Sequence, residues 1–405
     1  MGHTGFQTKH SRLRFRDLFG TTDSVRVAVA PGRVNLIGEH TDYNDGWVFP
    51  MAIDRYIGVT FAQRSDPILR AHSVAFDETR QVALTELESA RGSDWFSYVA
   101  GMAWAMKSSG LPLAGLDLVV DGNVPVGSGL SSSAALEMAT GRALCEVAGI
   151  AWHPKKMARL GQKAENDFVG VNCGLMDQMA SAVSQPDCAL LLDCRSLDTE
   201  AVAFPQEATI VVMDTGSRRS LAASTYNDRR ASCEHAVEIL RSVQPDIRAL
   251  RDVDRDLLES ARSSMDNITF RRAVHVVEEN LRPQALAKAL QSGNFEMAGH
   301  LMNASHASLR DLYGVSGKEL NLITDLARRH PACFGARLTG AGFGGCAVAL
   351  VETESADAFI DKVRASYIAL VDLPSEFFAC SPVGGAQLLE SAAKIDSQSS
   401  ATGKE

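Results

Sequence analysis

The chain has 405 residues, 45% of them hydrophobic and 22% charged, with a formal net charge of −9. This composition can bury a large core and divide into two domains, and the acidic balance excludes nucleic acid as the main partner because phosphate backbones select basic surfaces. Eight cysteines without a Cys-x-x-Cys pair, a polar stretch at 1–16 and no apolar run of about 18 residues point to reduced thiols, no signal peptide and no membrane span, hence a cytoplasmic protein.

Val25, Val27 and Val29 alternate with Arg26 and Ala28, the pattern of a half-buried strand over 25–34. It leads into Arg33 and, within ten residues, Glu39, His40, Thr41 and Asp42, closed by an Asn44-Asp45-Gly46 turn. Two carboxylates and an amphoteric ring at a strand end suit several hydroxyl groups at once, as on a sugar. For Glu39 or Asp42 singly, a solvated turn is the alternative. A lone histidine without a partner at i+4 argues against a metal site. Residues 48–64 and 67–84 read as strands, Trp95–Lys107 as a helix and Leu116–Val120 as a strand.

That strand delivers the chain to Gly127-Ser128-Gly129-Leu130-Ser131-Ser132-Ser133, ahead of a helix with Leu136, Ala139, Ala143, Leu144 and Val147 on one face. The serines cap the helix start, and its free N–H groups with about half a positive charge of macrodipole form an anion site. The motif lacks the Gly-Lys-Ser/Thr ending of the common P-loop, so a plain cap and a phosphate cradle both remain open from these residues alone.

From Pro154 a helix places Met157, Leu160, Ala164 and Phe168 on one face, with Glu165 beside that stripe. The next helix buries Leu175, Met176, Met179, Ala180 and Val183. Asp177 falls in its first turn, either as helix-start stabilisation or as an enclosed carboxylate. Strands at 189–193 and 209–213 flank a domain boundary near residue 200. Tyr226 opens a helix whose inward face carries Cys233, Val237 and Leu240, as a core aromatic or a substrate contact. Residues 244–263 are charge-rich and poorly patterned, and helices follow at 270–310 and 316–329. Five glycines between Gly335 and Gly345 mark a loop pressed against a neighbour, or a hinge. The tail 391–405 has a disordered composition.

Three motifs in this order resemble one family. Gly32-Arg33-Val34-Asn35-Leu36-Ile37-Gly38-Glu39-His40-Thr41-Asp42-Tyr43-Asn44 resembles the galactokinase signature. Residues 125–134 resemble the phosphate loop of the wider galactokinase, homoserine kinase, mevalonate kinase and phosphomevalonate kinase superfamily. Residues 338–346 resemble its third, glycine-rich motif. The resemblance runs from about Phe15 to about Val351, and the Glu-His-Thr-Asp-Tyr run is its most specific part.

It implies an α+β, two-domain kinase with mixed sheets, helices and a site in the inter-domain cleft. The N-terminal domain would span 1–200 and the C-terminal domain 201–390. It also implies a left-handed βαβ crossover, which general topology rules do not yield. The implied reaction is transfer of a phosphoryl group from ATP, with Mg²⁺, to the C1 hydroxyl of α-D-galactose. The chain is expected to act as a monomer, and its charge and lack of an apolar span point to no nucleic-acid or membrane partner. Asp177 would face the anomeric hydroxyl and Arg33 would lie near it and the γ-phosphate. Glu39, His40, Thr41, Asp42 and Tyr226 match sugar-binding positions. Gly127 to Ser133 match the phosphate cradle, and Ser133 and Glu165 the Mg²⁺ positions. Ser128, Ala341 and Asn321 depart from the usual pattern. A kinase for N-acetylgalactosamine, whose first motif tends to carry Ile at the place of Thr41, and a non-catalytic galactose sensor with a shortened serine loop are the rival readings.

Overall fold

The computed structural model describes residues 8–20, 24–218 and 222–389, so the tail 391–405 lies outside the described residues. Helix α1 (Thr8–Phe19) precedes β1 (Arg26–Asn35), β2 (Trp47–Val48), β3 (Pro50–Gln63), β4 (Ile68–Ser73), β5 (Glu78–Ala83), α2 (Trp95–Ser108) and β6 (Leu116–Gly122). Next come α3 (Ser132–Val147), α4 (Pro154–Ala164), α5 (Met176–Val183), β7 (Cys188–Asp193), β8 (Thr199–Ala203) and β9 (Ala208–Asp214). The chain continues through α6 (Ala222–Arg241), α7 (Arg255–Ser260), α8 (Asn267–Glu279), α9 (Arg282–Gln291), α10 (Phe295–Ser308) and α11 (Lys318–Arg328). It closes with β10 (Cys333–Leu338), β11 (Cys346–Glu352), α12 (Ala356–Ile368), β12 (Phe377–Cys380) and β13 (Gln387–Leu389).

Three sheets organise these elements: β13-β1-β3-β6-β4-β5, β10-β11-β9-β12 and β2-β7-β8. Among the described residues only the β4–β6 pair is parallel; the other strand pairings are antiparallel. β1 is buried on both faces, contrary to its alternating sequence. Ala28 and Ala30 join the main core, while Val27 and Val29 pack with Tyr56 against Val383 and Leu389, from the segment that ends in β13. A strand with short alanines facing one layer and valines the other fits between two covers.

Several expectations shift in detail. The stretch 48–64 breaks at Phe49: Trp47 and Val48 pair with β7, whereas β3 pairs with β1. The helix from Pro154 changes into a π turn over Glu165–Val169, a device found often at functional sites. The stretch 270–310 is three helices, punctuated by Pro283 in the first turn of α9 and by Asn294, whose side chain caps α10 by accepting from the Met297 N–H at 3.0 Å. Gly335 to Leu338 belong to strand β10 rather than to the loop. The charge-rich stretch 244–263 folds into short turns around α7. Its Arg251 is held by both oxygens of Asp193 and donates to the Asp45 carbonyl at 2.9 Å, while Asp252 takes a bidentate pair from Arg195. Among the described residues no helix is long and apolar enough to cross a membrane.

Candidate active site

Arg33 stands near the end of β1, just past an irregularity in its pairing with β3 between Pro31 and Arg33. Its Nε and Nη2 donate to Asp177 Oδ1 and Oδ2, each at 2.8 Å, and its Nη1 donates to the Gly129 carbonyl at 2.6 Å. The Arg33 side chain is 4% exposed, against 28% for Asp177. The bidentate pair fixes the carboxylate plane while one edge of it faces open space. Ser131 Oγ donates to Asp177 Oδ2 at 2.6 Å, and the Arg33 N–H donates to the Leu130 carbonyl at 3.1 Å. One knot therefore joins β1, the Gly/Ser loop and α5.

The loop differs from the expected serine cap. Ser131 is the residue before α3, has φ of 60° and makes no side-chain cap bond, because its hydroxyl serves Asp177 instead. Gly127 and Gly129 also have positive φ, 69° and 83°, and lie exposed, whereas Ser128 and Leu130 point into the protein. Ser128 Oγ donates to the Pro125 carbonyl at 2.8 Å, and Leu130 packs in the main core. These two anchor the loop from below. With the cap bond absent, the first-turn N–H groups of α3 are open to an anion. The third motif braces the loop from the other side: a Cβ on Gly345 would stand 2.4 Å from the Ser128 carbonyl oxygen. Arg218, which follows β9, extends its Cδ over Gly127 and is paired with Asp214.

Arg33, Glu39, His40, Asp42, Glu165, Asp177 and Tyr226 all line one cavity of about 260 Å³. That lies below the roughly 300–1,000 Å³ of drug-sized pockets and matches a small polar ligand. Thr41 is not among the lining residues. Its hydroxyl donates to the carbonyls of Gly38 at 2.8 Å and Trp47 at 2.7 Å, so it shapes the loop that carries its neighbours. A larger outer cleft of about 460 Å³ adjoins the cavity across Asp42, Cys173 and Gly174. The cleft and cavity meet tightly: a Cβ on Gly174 would fall 1.8 Å from Asp42 Oδ2.

Burial sets the charges here. Desolvation pushes the Glu39 carboxyl up against the pull of Arg337 and Arg33, while the Gly340 N–H donates to its Oε1 at 2.7 Å. His40 has φ of 65° and is held neutral, its pKa pushed down to about 3 by burial and by His275. Its Nδ1 shares a hydrogen bond with Tyr43 Oη at 2.8 Å, and its Nε2 is buried beside the Ala341 backbone without a well-formed bond. Asp42 is pushed up to about 7 by desolvation, then by Asp177 and Glu39. The cavity thus offers carboxyl oxygens, a neutral imidazole and a phenol, groups that pair with hydroxyls.

Glu165, at the start of the π turn, is buried and pushed up to about 7 by desolvation and by Asp177. Its Oε2 accepts from Gln178 Nε2 at 2.8 Å, and the Ser133 hydroxyl reaches the same carboxyl. Among the described residues no three His, Cys, Asp or Glu form a metal cage. One carboxylate and one hydroxyl beside further buried carboxyls nevertheless fit Mg²⁺, which takes hard oxygens, uses one or two carboxylates and completes its shell with phosphate and water.

Three contributors escape a reading of local sequence. Arg337, fully buried, donates to the Asn35 carbonyl at 2.9 Å and pairs with Glu39 at 3.5 Å. Glu279 accepts from the Gly38 N–H at 2.9 Å and the Glu39 N–H at 3.3 Å, and pairs with Arg282 at 2.6 Å. Tyr313 donates to or accepts from Tyr43 at 2.7 Å and stacks on His40. A charge inside an apolar strand was the available signal for Arg337. Glu279 and Arg282 showed only ordinary helical spacing.

Comparison with known proteins agrees with this arrangement. Residues 13–63 match the galactokinase galactose-binding signature, 97–185 the GHMP kinases N terminal domain and 286–369 the GHMP kinases C terminal domain. Galactokinase from Chloroflexus aurantiacus is 47% identical over 353 residues, 87% of this chain and 90% of that one; galactokinase from a Roseiflexus species is 42% identical, covering 92% and 95%. The crystal structure of Lactococcus lactis galactokinase complexed with galactose superimposes with a TM-score of 0.91 at 37% identity, covering 94% of this chain and all of that one. Methanococcus jannaschii mevalonate kinase shares the fold at 18% identity, with a TM-score of 0.64 over 90% of this chain and all of that one. A signature matched over the very loop that carries Arg33 to Asp42, relatives close to half identical along nearly the whole chain, and this shared fold place the chain in the galactokinase family.

Proposed function

We propose that the protein transfers the γ-phosphoryl group of ATP to the C1 hydroxyl of α-D-galactose, giving galactose 1-phosphate and ADP. The observation that carries this reading is the Arg33–Asp177–Ser131 knot. It sets a carboxylate at the edge of a monosaccharide-sized cavity and ties it to the loop whose N–H groups would hold the phosphates. Phosphoryl transfer asks mainly for positioning and charge stabilisation. Asp177 orients the attacking hydroxyl and takes up its proton, and Arg33 offsets charge on the moving group. Glu39, His40, Asp42 and Tyr226 bind the remaining hydroxyls, and Thr41 acts through the loop it closes.

Gly127 and Gly129 let the backbone approach the phosphates, Ser131 to Ser133 present the α3 N-terminus, and Ser128 and Leu130 hold the loop in place. Ser133 and Glu165 would hold Mg²⁺, which when bound offsets phosphate charge. The same reading divides the chain into N- and C-terminal parts near residue 200. Supporting it, the six-stranded sheet draws all but β13 from before Asn123, and the four-stranded sheet draws only on strands after Ala203. Since β8 pairs with β7, the natural break follows Ala203. Eight free cysteines suit a reducing, cytoplasmic setting.

Asp177→Asn tests the assignment. Turnover is expected to fall about 10²–10⁴-fold, with ATP and galactose binding retained by calorimetry. A folded Asn variant with parental turnover would sink it.

A further inference from the structure

Glu137 lies on α3, fully buried and outside the cavity lining. Its Oε2 accepts from Gln178 Nε2 at 3.1 Å, and that same nitrogen donates to Glu165 Oε2 at 2.8 Å. Glu137 Oε1 has no hydrogen-bond partner among the described residues. The surroundings are close-packed: a Cβ on Gly161 of α4 would stand 3.1 Å from Glu137 Oε2, 3.1 Å from Gln178 Cγ and 2.6 Å from Met138 Cε. Three segments therefore converge on one amide: α3, which begins at the Gly/Ser loop; α5, which carries Asp177 beside Gln178; and the π turn that carries Glu165.

Burying a carboxyl is costly, and a link between helices needs no acid, since an amide or apolar side chain would pack as well. What a carboxyl adds is definition. The Gln178 –NH₂ donates to a carboxyl oxygen on either side of it, and these two bonds together set how the amide lies between α3 and the π turn. That orientation fixes the oxygen of Glu165 engaged by Gln178 and leaves the other oriented. We propose that Glu137 is a positioning residue that, through Gln178, holds the Glu165 carboxylate in register with the phosphate-loop helix for the divalent cation. This rests on the reading of Ser133 and Glu165 as the Mg²⁺ pair.

The test uses Mn²⁺ as the probe, bound to the protein–ADP complex and followed by electron paramagnetic resonance. Galactose binding is measured in parallel by calorimetry without metal. Glu165→Gln is the reference: parental Mn²⁺ affinity in that variant would overturn the metal reading, and this proposal with it. Given weakened binding there, the nearly isosteric Glu137→Gln is expected to weaken Mn²⁺ roughly 10- to 100-fold, with galactose affinity and melting temperature unchanged. Should Glu137→Gln not fold, Glu137→Asp keeps the carboxyl, shortens the reach and is expected to show the same selective loss. Parental Mn²⁺ affinity in the folded variant, or equal losses of metal and galactose binding, would overturn the positioning role.

Discussion

Asp42 shows how a single residue of the site is set by its surroundings. Desolvation, Asp177 and Glu39 raise its pKa from 3.8 to about 7, so the folded protein keeps a proton there that the unfolded chain releases above about pH 4. Folding then binds more protons than unfolding across that window, and Asp42's contribution to stability falls as pH rises from about 4 to 7. Asp42→Asn cannot titrate, so the variant is expected to gain in melting temperature relative to the parent as pH is raised from 5 to 8. A difference that stays constant with pH would contradict the shift. At this scale Glu39, His40 and Asp42 were legible because they are dense and contiguous. Thr41 was not separable from them, since only the folded loop shows its hydroxyl satisfied by Gly38 and Trp47. Ser131 sits where a helix cap belongs and serves Asp177 instead, a role hidden from the local sequence because that partner lies 46 residues away.

At the scale of elements, β1 with its loop, α3 and α5 each bring one part of the site, and α8 holds them from behind. Glu279 at the end of α8 is fully buried. Burial pushes its carboxyl up, but Arg282, His275 and Arg337 outweigh that and hold it down at about 2. It grips the Gly38 and Glu39 backbone and accepts from Ser305 Oγ at 2.6 Å. Glu279→Ala leaves the Gly38 and Glu39 N–H groups and the Ser305 hydroxyl without their acceptor and leaves Arg282 only the looser pair with Glu278 at 3.6 Å. Breaking a buried pair of this kind costs about 3–5 kcal/mol. The loss is expected in the urea midpoint at pH 7 and should shrink as pH falls from about 4.5 towards 2, where the parent's carboxylate is itself protonated. An unchanged midpoint at pH 7 would refute the role. Regular helices such as α2 and α4 were legible from their periodicity. The π turn at Glu165 and the turns within 244–263 were not, because they answer to Asp177, Ser133, Asp193 and Arg195, partners that no local window contains.

Across the whole molecule, the last strand β13 returns to pair with β1, and residues from the first motif meet the third through Asn35–Thr339 and Glu39–Gly340. This closure, across some 300 residues of sequence, makes the cavity a joint product of distant segments. The order and composition of the three motifs carried the family, while their mutual geometry needed the sheets. The central chemical claim is that the hydroxyl presented to Asp177 is the anomeric one of galactose. Phosphorus NMR of the protein incubated with galactose, ATP and Mg²⁺ tests it directly. The expected signal is a phosphate ester split by the single anomeric proton, growing as the γ-phosphate of ATP declines. An ester split by the two protons of a primary carbon, or loss of γ-phosphate only to inorganic phosphate, would contradict it.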